Sequence, residues 1–291
     1  MTAKKKRTTK HVIGNILILI KKWQLASSNG VSHPFVEGIV FSNEGAKGRK
    51  PLFNASDSQT GNIMGYWEDK AKGWLCISHP VQGYEVKAPE DMKSFFSGCI
   101  LNSEGDTGPF ISYLDVSHLN VSKTKNFCSC FFGFGRHVAN SEILGLETWD
   151  VSKGTDFSMF FYEAFSENKE VDLDLSKWHF KKCGVLNFDS FFYSFAGHAK
   201  KVTLNLNWKM NCAGCFSRMF CCFAINAKEV NILGIKNWCV SQVIWFSKMF
   251  KNFAPNSNCT LDLSVWKVQE KCGHTEFAQE TFFKIKEPNW R

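Results

Sequence analysis

The stretch Leu173-Asp-Leu-Ser-Lys-Trp-His-Phe-Lys-Lys-Cys-Gly-Val-Leu-Asn-Phe-Asp-Ser-Phe-Phe192 contains each part of a unit that recurs along this chain of 291 residues. It opens with an apolar-polar-apolar triplet, reaches Trp178, and ends in a phrase of spaced phenylalanines. The aromatic phrase occurs seven times with a period of about 30 residues, beginning at Met92, Phe127, Phe157, Phe188, Phe216, Phe246 and Phe277. A fixed period in this range indicates stacked supersecondary units rather than one irregular core.

A second signal keeps the same spacing. Tryptophans recur 28 to 30 residues apart at Trp149, Trp178, Trp208, Trp238 and Trp266. The chain has 28 Phe and 10 Trp against 5 Tyr, and such large rings without polar groups are mostly core material. We therefore predict a structural core formed by these five tryptophans together with Phe131, Phe161, Phe192, Phe220 and Phe250.

The triplets upstream of the tryptophans predict short strands. They begin at Leu114, Leu144, Leu173, Leu204, Leu233 and Leu261, and each has Asp, Asn or Gly between two apolar residues. This period-two alternation is typical of a strand with one buried face. We expect the leucines to point inward and the residues between them to point outward.

The aromatic phrase predicts a short helix. In Phe216, Met219, Phe220, Phe223 and Ala224 the apolar positions follow the i, i+3, i+4, i+7 pattern of one helical face. Each repeat should then read strand, turn, short helix and loop. A lone unit cannot bury both faces, so neighbours should stack, with a parallel sheet of short strands on one face and short helices on the other. The predicted fold class is an α/β repeat solenoid.

The periodicity also divides the chain. Residues 1–88 do not keep the period, and we expect an N-terminal basic segment followed by an irregular cap. Residues 89–270 should form the solenoid, with about six repeats of about 30 residues. In residues 271–291 the aromatic phrase weakens and no further strand is expected, which is typical of a C-terminal cap.

Composition favours a folded protein, since 44% of the residues are hydrophobic and 21% are charged. Part of the net charge of +8 comes from Lys4-Lys5-Lys6-Arg7, which precedes the apolar run Val12-Ile-Gly-Asn-Ile-Leu-Ile-Leu-Ile20. That run is compatible with an export signal or with a buried element, and it is too short for a transmembrane span. Secretion or display at the cell surface is the preferred location, with the cytoplasm as the alternative.

The phrase Leu-Asp-Leu-Ser-x-Trp at Leu173 and Leu261, together with Phe246-Ser-Lys-Met-Phe250, resembles the BspA-like leucine-rich repeats of bacterial surface proteins. The resemblance is strongest to the version found in mycoplasma lipoproteins, and it covers roughly residues 90 to 285. It implies a right-handed, leucine-rich-repeat-like coil that binds other macromolecules, often as an exported adhesin or host-interaction protein. It implies no catalytic residues.

The outward strand positions and the residues beside them form a candidate binding surface. Its members are Asp115, Ser117, Glu147, Asp174, Ser176, Asn205, Asn207, Lys236, Asp262 and Ser264. Repeat proteins usually bind their partners on such a continuous face, although polar residues there can also serve solubility alone. The expected partner is a protein. Nucleic acid is not expected, because Lys and Arg are interspersed with Asp and Glu in the repeats.

No recognised catalytic phrase accompanies the histidines or carboxylates, so the sequence predicts a non-enzymatic protein-binding or adhesion module without cofactor or metal. An intracellular interaction scaffold or effector of the same fold is the first alternative. A zinc or redox protein built on Cys212, Cys215, Cys221 and Cys222 is the second, because Cys212 and Cys215 have the spacing of half a zinc site.

Overall fold

The computed structural model describes residues 13–14, 19–20, 22, 36–57, 61–97, 111–180, 185–210, 214–281 and 284–290. The basic stretch from Lys4 to Arg7, most of the apolar run after it, and Cys212 lie outside the described residues.

Short strands carry the fold. They are β1 Gly38–Ser42, β2 Phe53–Asn54, β3 Met64–Asp69, β4 Trp74–Ser78, β5 Val86–Lys87, β6 Tyr113–Asp115, β7 Leu119–Asn120, β8 Glu142–Leu144, β9 Glu170–Asp174, β10 Leu186–Asn187, β11 Lys201–Asn205, β12 Gly214–Cys215, β13 Glu229–Leu233, β14 Val243–Trp245, β15 Leu261–Asp262 and β16 Ile285–Lys286. Two single-turn 3-10 helices follow β8 and β13, at Leu146–Thr148 and Ile235–Asn237.

Strands of successive repeats pair in parallel. β9, β11 and β13 form one sheet in which Leu173, Leu204 and Ile232 occupy one row. β6 and β8 belong to a six-stranded sheet of order β2-β3-β4-β1-β6-β8. Smaller parallel sheets join β10, β12 and β14, as well as β5 with β7 and β15 with β16. Because β1 pairs with β6, the region before residue 88 extends the repeat sheet instead of only covering its end.

The predicted inward direction is wrong for two of the leucines. Leu144 is 37% exposed and Leu233 is 52% exposed, whereas the neighbouring Ile232 is 8% exposed. In these repeats a glycine follows the leucine and adopts φ +86°, at Gly145 and Gly234, which a residue with a side chain rarely adopts. In the register of the sheet Ile232 takes the place of Leu173, six residues before its tryptophan instead of five. The strand is therefore shifted by one position, and a shift of one reverses the buried face.

The predicted helices are also wrong. The segment from Phe157 to Phe165 is a run of turns, in which the Phe160 N–H donates to the Phe157 carbonyl three residues back at 3.3 Å. Alternate N–H groups instead donate to the next repeat, as Phe161 N–H does to the Phe191 carbonyl at 2.9 Å. Met159 and Glu163, four residues apart, have φ of +55° and +54°, which interrupts any helix. Left-handed residues at this spacing reproduce the apolar pattern of a helical face without its hydrogen bonds.

The C-terminal region contains a strand, which the sequence did not predict. β16 pairs in parallel with β15, so that Ile285 lies beside Leu261. Trp290 follows Ile285 at the distance that separates Leu261 from Trp266, and its ring centroid lies 4.8 Å from that of Phe277. The two-residue strand is too short to show a period in the sequence. Residues 271–291 thus continue the repeat in shortened form.

Rows of stacked rings fill the interior. Phe161 and Phe192 stack at 5.7 Å between ring centroids, and Phe220 and Phe250 at 5.3 Å. These spacings are slightly larger than the distance between neighbouring strands. All ten predicted core residues are buried, and their exposed fractions lie between 0% and 4%. The description of this architecture as a right-handed leucine-rich-repeat solenoid stays a prediction.

Each repeat tryptophan also bonds to the repeat before it. The Trp178 indole N–H donates to the Leu146 carbonyl at 2.8 Å, and the Trp208 indole N–H donates to the Leu175 carbonyl at the same distance. Trp149, Trp238 and Trp266 make the corresponding bonds to Val116, Leu206 and Ile235. The tryptophans therefore connect the corner of one repeat to the strand end of the previous repeat and leave no indole N–H unpaired in the core.

Candidate binding surface

The outward side chains of the strands form one face of each sheet. Most of the predicted binding residues are exposed there: Ser117, Glu147, Asp174, Asn207, Lys236, Asp262 and Ser264. Asp115, Ser176 and Asn205 are half-buried. Asn205 and Asp174 are adjacent in the register of β9 and β11, so the structure brings these two together.

Three of the carboxylates on this face serve the local backbone. Asp174 Oδ1 accepts the Ser176 N–H at 2.8 Å. Asp115 and Asp262 accept both the N–H and the hydroxyl of the serine two residues on, Ser117 and Ser264. Such Asx turns direct the chain from the strand into the corner that ends at the tryptophan. The Asp-x-Ser phrase therefore has a structural role, which the polar ladder alone did not reveal.

Hydrogen bonds also tune the acidity of these groups. Burial raises the pKa of Asp174, but the bonds from Ser176 and Asn205 and the charge of Lys177 outweigh it and lower the pKa. The Ser264 hydroxyl, with help from the Lys286 ammonium, lowers the pKa of Asp262 to about 2. Both carboxylates are therefore negatively charged at neutral pH.

The corners at Gly145 and Gly234 change the chemistry of the face. In the strand register Leu144 lies beside Asp115, and Leu233 lies beside Asn205. The face is therefore a polar surface with exposed leucines at two places. A glycine directly after the first leucine of a triplet was the available signal for these leucines, because Gly145 and Gly234 adopt the positive φ that turns the chain there.

A cleft of about 560 Å³ separates β8 from β9. Within the described residues, no strand pairs with the outer edge of either strand. Its floor is apolar, with Ile143, Val171, Leu173 and Phe165, and its rim carries charged groups. Nothing in the repeat pattern predicts this cleft, because it depends on which strands fail to pair.

The cysteine cluster offers a different chemistry. The Cys221 and Cys222 sulfurs lie 3.8 Å apart, and the Asn252 side-chain amide donates to the Cys222 sulfur at 3.9 Å. Hydrogen bonding from the Cys221 thiol lowers the pKa of the half-buried Cys222. Cys215 is a free thiol. Since Cys212 is not among the described residues, a four-cysteine site stays a prediction.

The described ranges contain neither a cluster of metal ligands nor a membrane-spanning helix. Among these residues, no three His, Cys, Asp or Glu side chains are grouped as a metal ion would require. No helix in the same ranges is both long and apolar enough to span a bilayer.

Comparison with known proteins connects the repeats with one family. A family model described as "Mycoplasma protein of unknown function, DUF285" matches residues 91–228 and 163–290. The two matches together span the whole repeat region. No curated protein and no solved structure matches the chain.

Proposed function

The chain belongs to the DUF285 family of Mycoplasma proteins of unknown function, and on that premise we propose that it is a non-enzymatic protein-binding module. Its repeats would form a right-handed, leucine-rich-repeat-like solenoid of the BspA type. It would act in adhesion or host interaction at the cell surface. The partner would be a protein, bound on the outward strand face.

The observation that carries this proposal is the contrast between the two faces of β9, β11 and β13. The inward residues of these strands are buried apolar side chains. Their outward side chains lie in register on adjacent strands. Glu170, Lys201 and Glu229 form a charged row at one end, and the other two rows are short polar groups together with the exposed Leu233. A broad face with a few apolar anchors and a polar surround suits a protein partner better than a small molecule.

An intracellular scaffold or effector of the same fold is the second candidate. The observation that favours it is the state of the cysteines: all nine in the described ranges are free thiols. Free thiols are typical of proteins kept in a reducing compartment. The intact mass of natively purified protein, with and without reductant, separates the two locations. Intramolecular disulfides would contradict the intracellular candidate, and free thiols with an intact Met1 would contradict the surface candidate.

Photo-crosslinking tests the proposed face. A benzoylphenylalanine is placed at Asn205, on the strand face, and as a matched control at Met159, which is 37% exposed in the run of turns from Phe157 to Phe165. The intact cell, or the cell together with its host, is irradiated. We expect protein crosslinks from position 205, in clearly higher yield than from position 159. Equal yields, or crosslinks from position 159 alone, would remove the strand face from the proposal.

A further inference from the structure

We propose that the cleft between β8 and β9 binds an extended, lysine- or arginine-bearing segment of the partner protein by strand addition. This inference rests on the proposed protein-binding function and specifies what that function recognises. Addition of a peptide strand to an exposed sheet edge is an established mode of recognition, in which main-chain hydrogen bonds supply affinity and side chains supply selectivity.

The backbone of both strands faces the cleft with groups that sheet pairing leaves available. On β8, Glu142 N–H donates to the Ser112 carbonyl and the Leu144 carbonyl accepts from Val116 N–H, so these two residues direct their backbone toward β6. Backbone groups alternate in direction along a strand, and those of Ile143 therefore point into the cleft. On β9 the same reasoning applies to Glu170 and Asp172, since Leu175 bonds to β11.

Two bridges define the ends of the cleft. At one end the Asn168 side-chain amide donates to the Ser141 carbonyl at 2.8 Å, and its oxygen accepts the Ser141 N–H at 3.0 Å. At the other end the Trp178 indole donates to the Leu146 carbonyl at 2.8 Å. The Asn168 side chain thus bonds the backbone of Ser141 as a neighbouring strand would. Between the two bridges, the backbone edges of β8 and β9 are left unpaired. The five residues of β9 offer roughly 16 Å of edge at about 3.3 Å per residue.

Charge selects the occupant. The carboxylates of Glu142, Glu170 and Asp172 line the cleft together with the single ammonium group of Lys169. None of the three carboxylates has an ion-pair partner within the described part of the chain. A rim with this excess of negative charge attracts cationic side chains and disfavours acidic ones. An alternating cationic and apolar strand would place its basic groups on the rim and its apolar groups on Ile143 and Val171.

Fluorescence anisotropy with a defined probe tests this inference. The probe is a labelled peptide of sequence Lys-Val-Lys-Val-Lys, whose extended length of about 16 Å matches the open edge. Its control is the same peptide with methyl groups on the valine nitrogens. Methylation keeps the charge but removes backbone donors. The protein is compared with the variants Asp172→Lys and Glu270→Lys, which make the same charge change inside and far from the cleft. Thermal unfolding of both variants verifies that they are folded.

We expect the probe to bind the unaltered protein and Glu270→Lys alike, and to bind Asp172→Lys at least tenfold more weakly. The methylated peptide should also bind at least tenfold more weakly. If the plain and methylated peptides bind equally, charge alone attracts the probe and strand addition is refuted. If Asp172→Lys and Glu270→Lys bind the probe equally, the cleft is not its binding site. A probe that does not bind overturns the inference, while crosslinks from position 205 would in that case still support the protein-binding function. Loss of those crosslinks as well would remove both.

Discussion

Truncation of two adjacent residues, Ile232→Ala and Leu233→Ala, separates the strand register of the structure from the one that the triplet pattern predicts. Ile232 is 8% exposed and Leu233 is 52% exposed. Each substitution removes three carbon atoms, so the chemistry is matched. The triplet pattern places Leu233 in the core, whereas the structure places Ile232 there.

The expected cost follows from burial. Truncation of a buried Ile or Leu to Ala costs about 2–5 kcal/mol, because a cavity remains in addition to the lost transfer free energy. For Leu233, three methylene-equivalents at about 0.8 kcal/mol each are about half buried, which gives about 1 kcal/mol, and no cavity forms at the surface. Ile232→Ala should therefore lower the free energy of unfolding by at least about 1 kcal/mol more than Leu233→Ala.

Urea unfolding followed by tryptophan fluorescence measures this difference. The urea midpoints are compared only if the free energy of unfolding depends on urea with the same slope in the unaltered protein and the two variants. A changed slope would indicate a changed unfolding transition. Equal midpoints, or a lower midpoint for Leu233→Ala, would refute the assignment of the outward face and with it the exposed leucine in the proposed binding surface.

Three further outcomes follow from named contacts. Gly234→Ala should lower stability by about 1–3 kcal/mol, since its φ of +86° is strained for alanine and a methyl group would collide with the preceding repeat. Gly48→Ala, with φ +75° and open space, should cost less in the same thermal melt. Cys222 should react with a disulfide reagent at a lower pH than an ordinary thiol does, because hydrogen bonding from Cys221 lowers its pKa, and a reaction rate that rises only near pH 9 would contradict the bonding described. Ser264→Ala should raise the pKa of Asp262 from about 2 toward roughly 4, as followed by carboxyl NMR. Because the pKa of Asp262 is lower in the folded than in the unfolded state, the stability that Asp262 contributes is present above roughly pH 4 and lost as the pH falls toward 2. Ser264→Ala should reduce this pH-dependent contribution to stability. An unchanged midpoint of the Asp262 NMR titration in Ser264→Ala would contradict the role of the Ser264 hydroxyl.

Local chemistry made part of the fold predictable. Leu173 and Leu204 belong to strands in which apolar and polar residues alternate, and both leucines are buried as a period of two predicts. Large rings such as Trp178 are interior because few other places can hold them. Their equal spacing along the chain corresponds to the stacking of one repeat on the next.

The rest depended on the path of the backbone. Consecutive turns with left-handed residues such as Met159 give the same apolar spacing as a helix, so periodicity could not separate the two. At Gly145 the strand register is shifted by one residue, which reverses the buried face while the spacing of the triplet to its tryptophan stays the same. The cleft could not be predicted because it lies between β8 and β9, and pairing between distant segments is not encoded in either strand alone.

Direct backbone hydrogen bonds between successive repeats create both the outward face and the cleft. Scalar coupling across hydrogen bonds in deuterated protein detects donor and acceptor directly. We expect a coupling between the Phe161 amide nitrogen and the Phe191 carbonyl carbon, because the Phe161 nitrogen lies 2.9 Å from the Phe191 carbonyl oxygen. A coupling from the Phe161 amide to the Phe157 carbonyl instead would show a helix within one repeat and would contradict the direct joining of repeats.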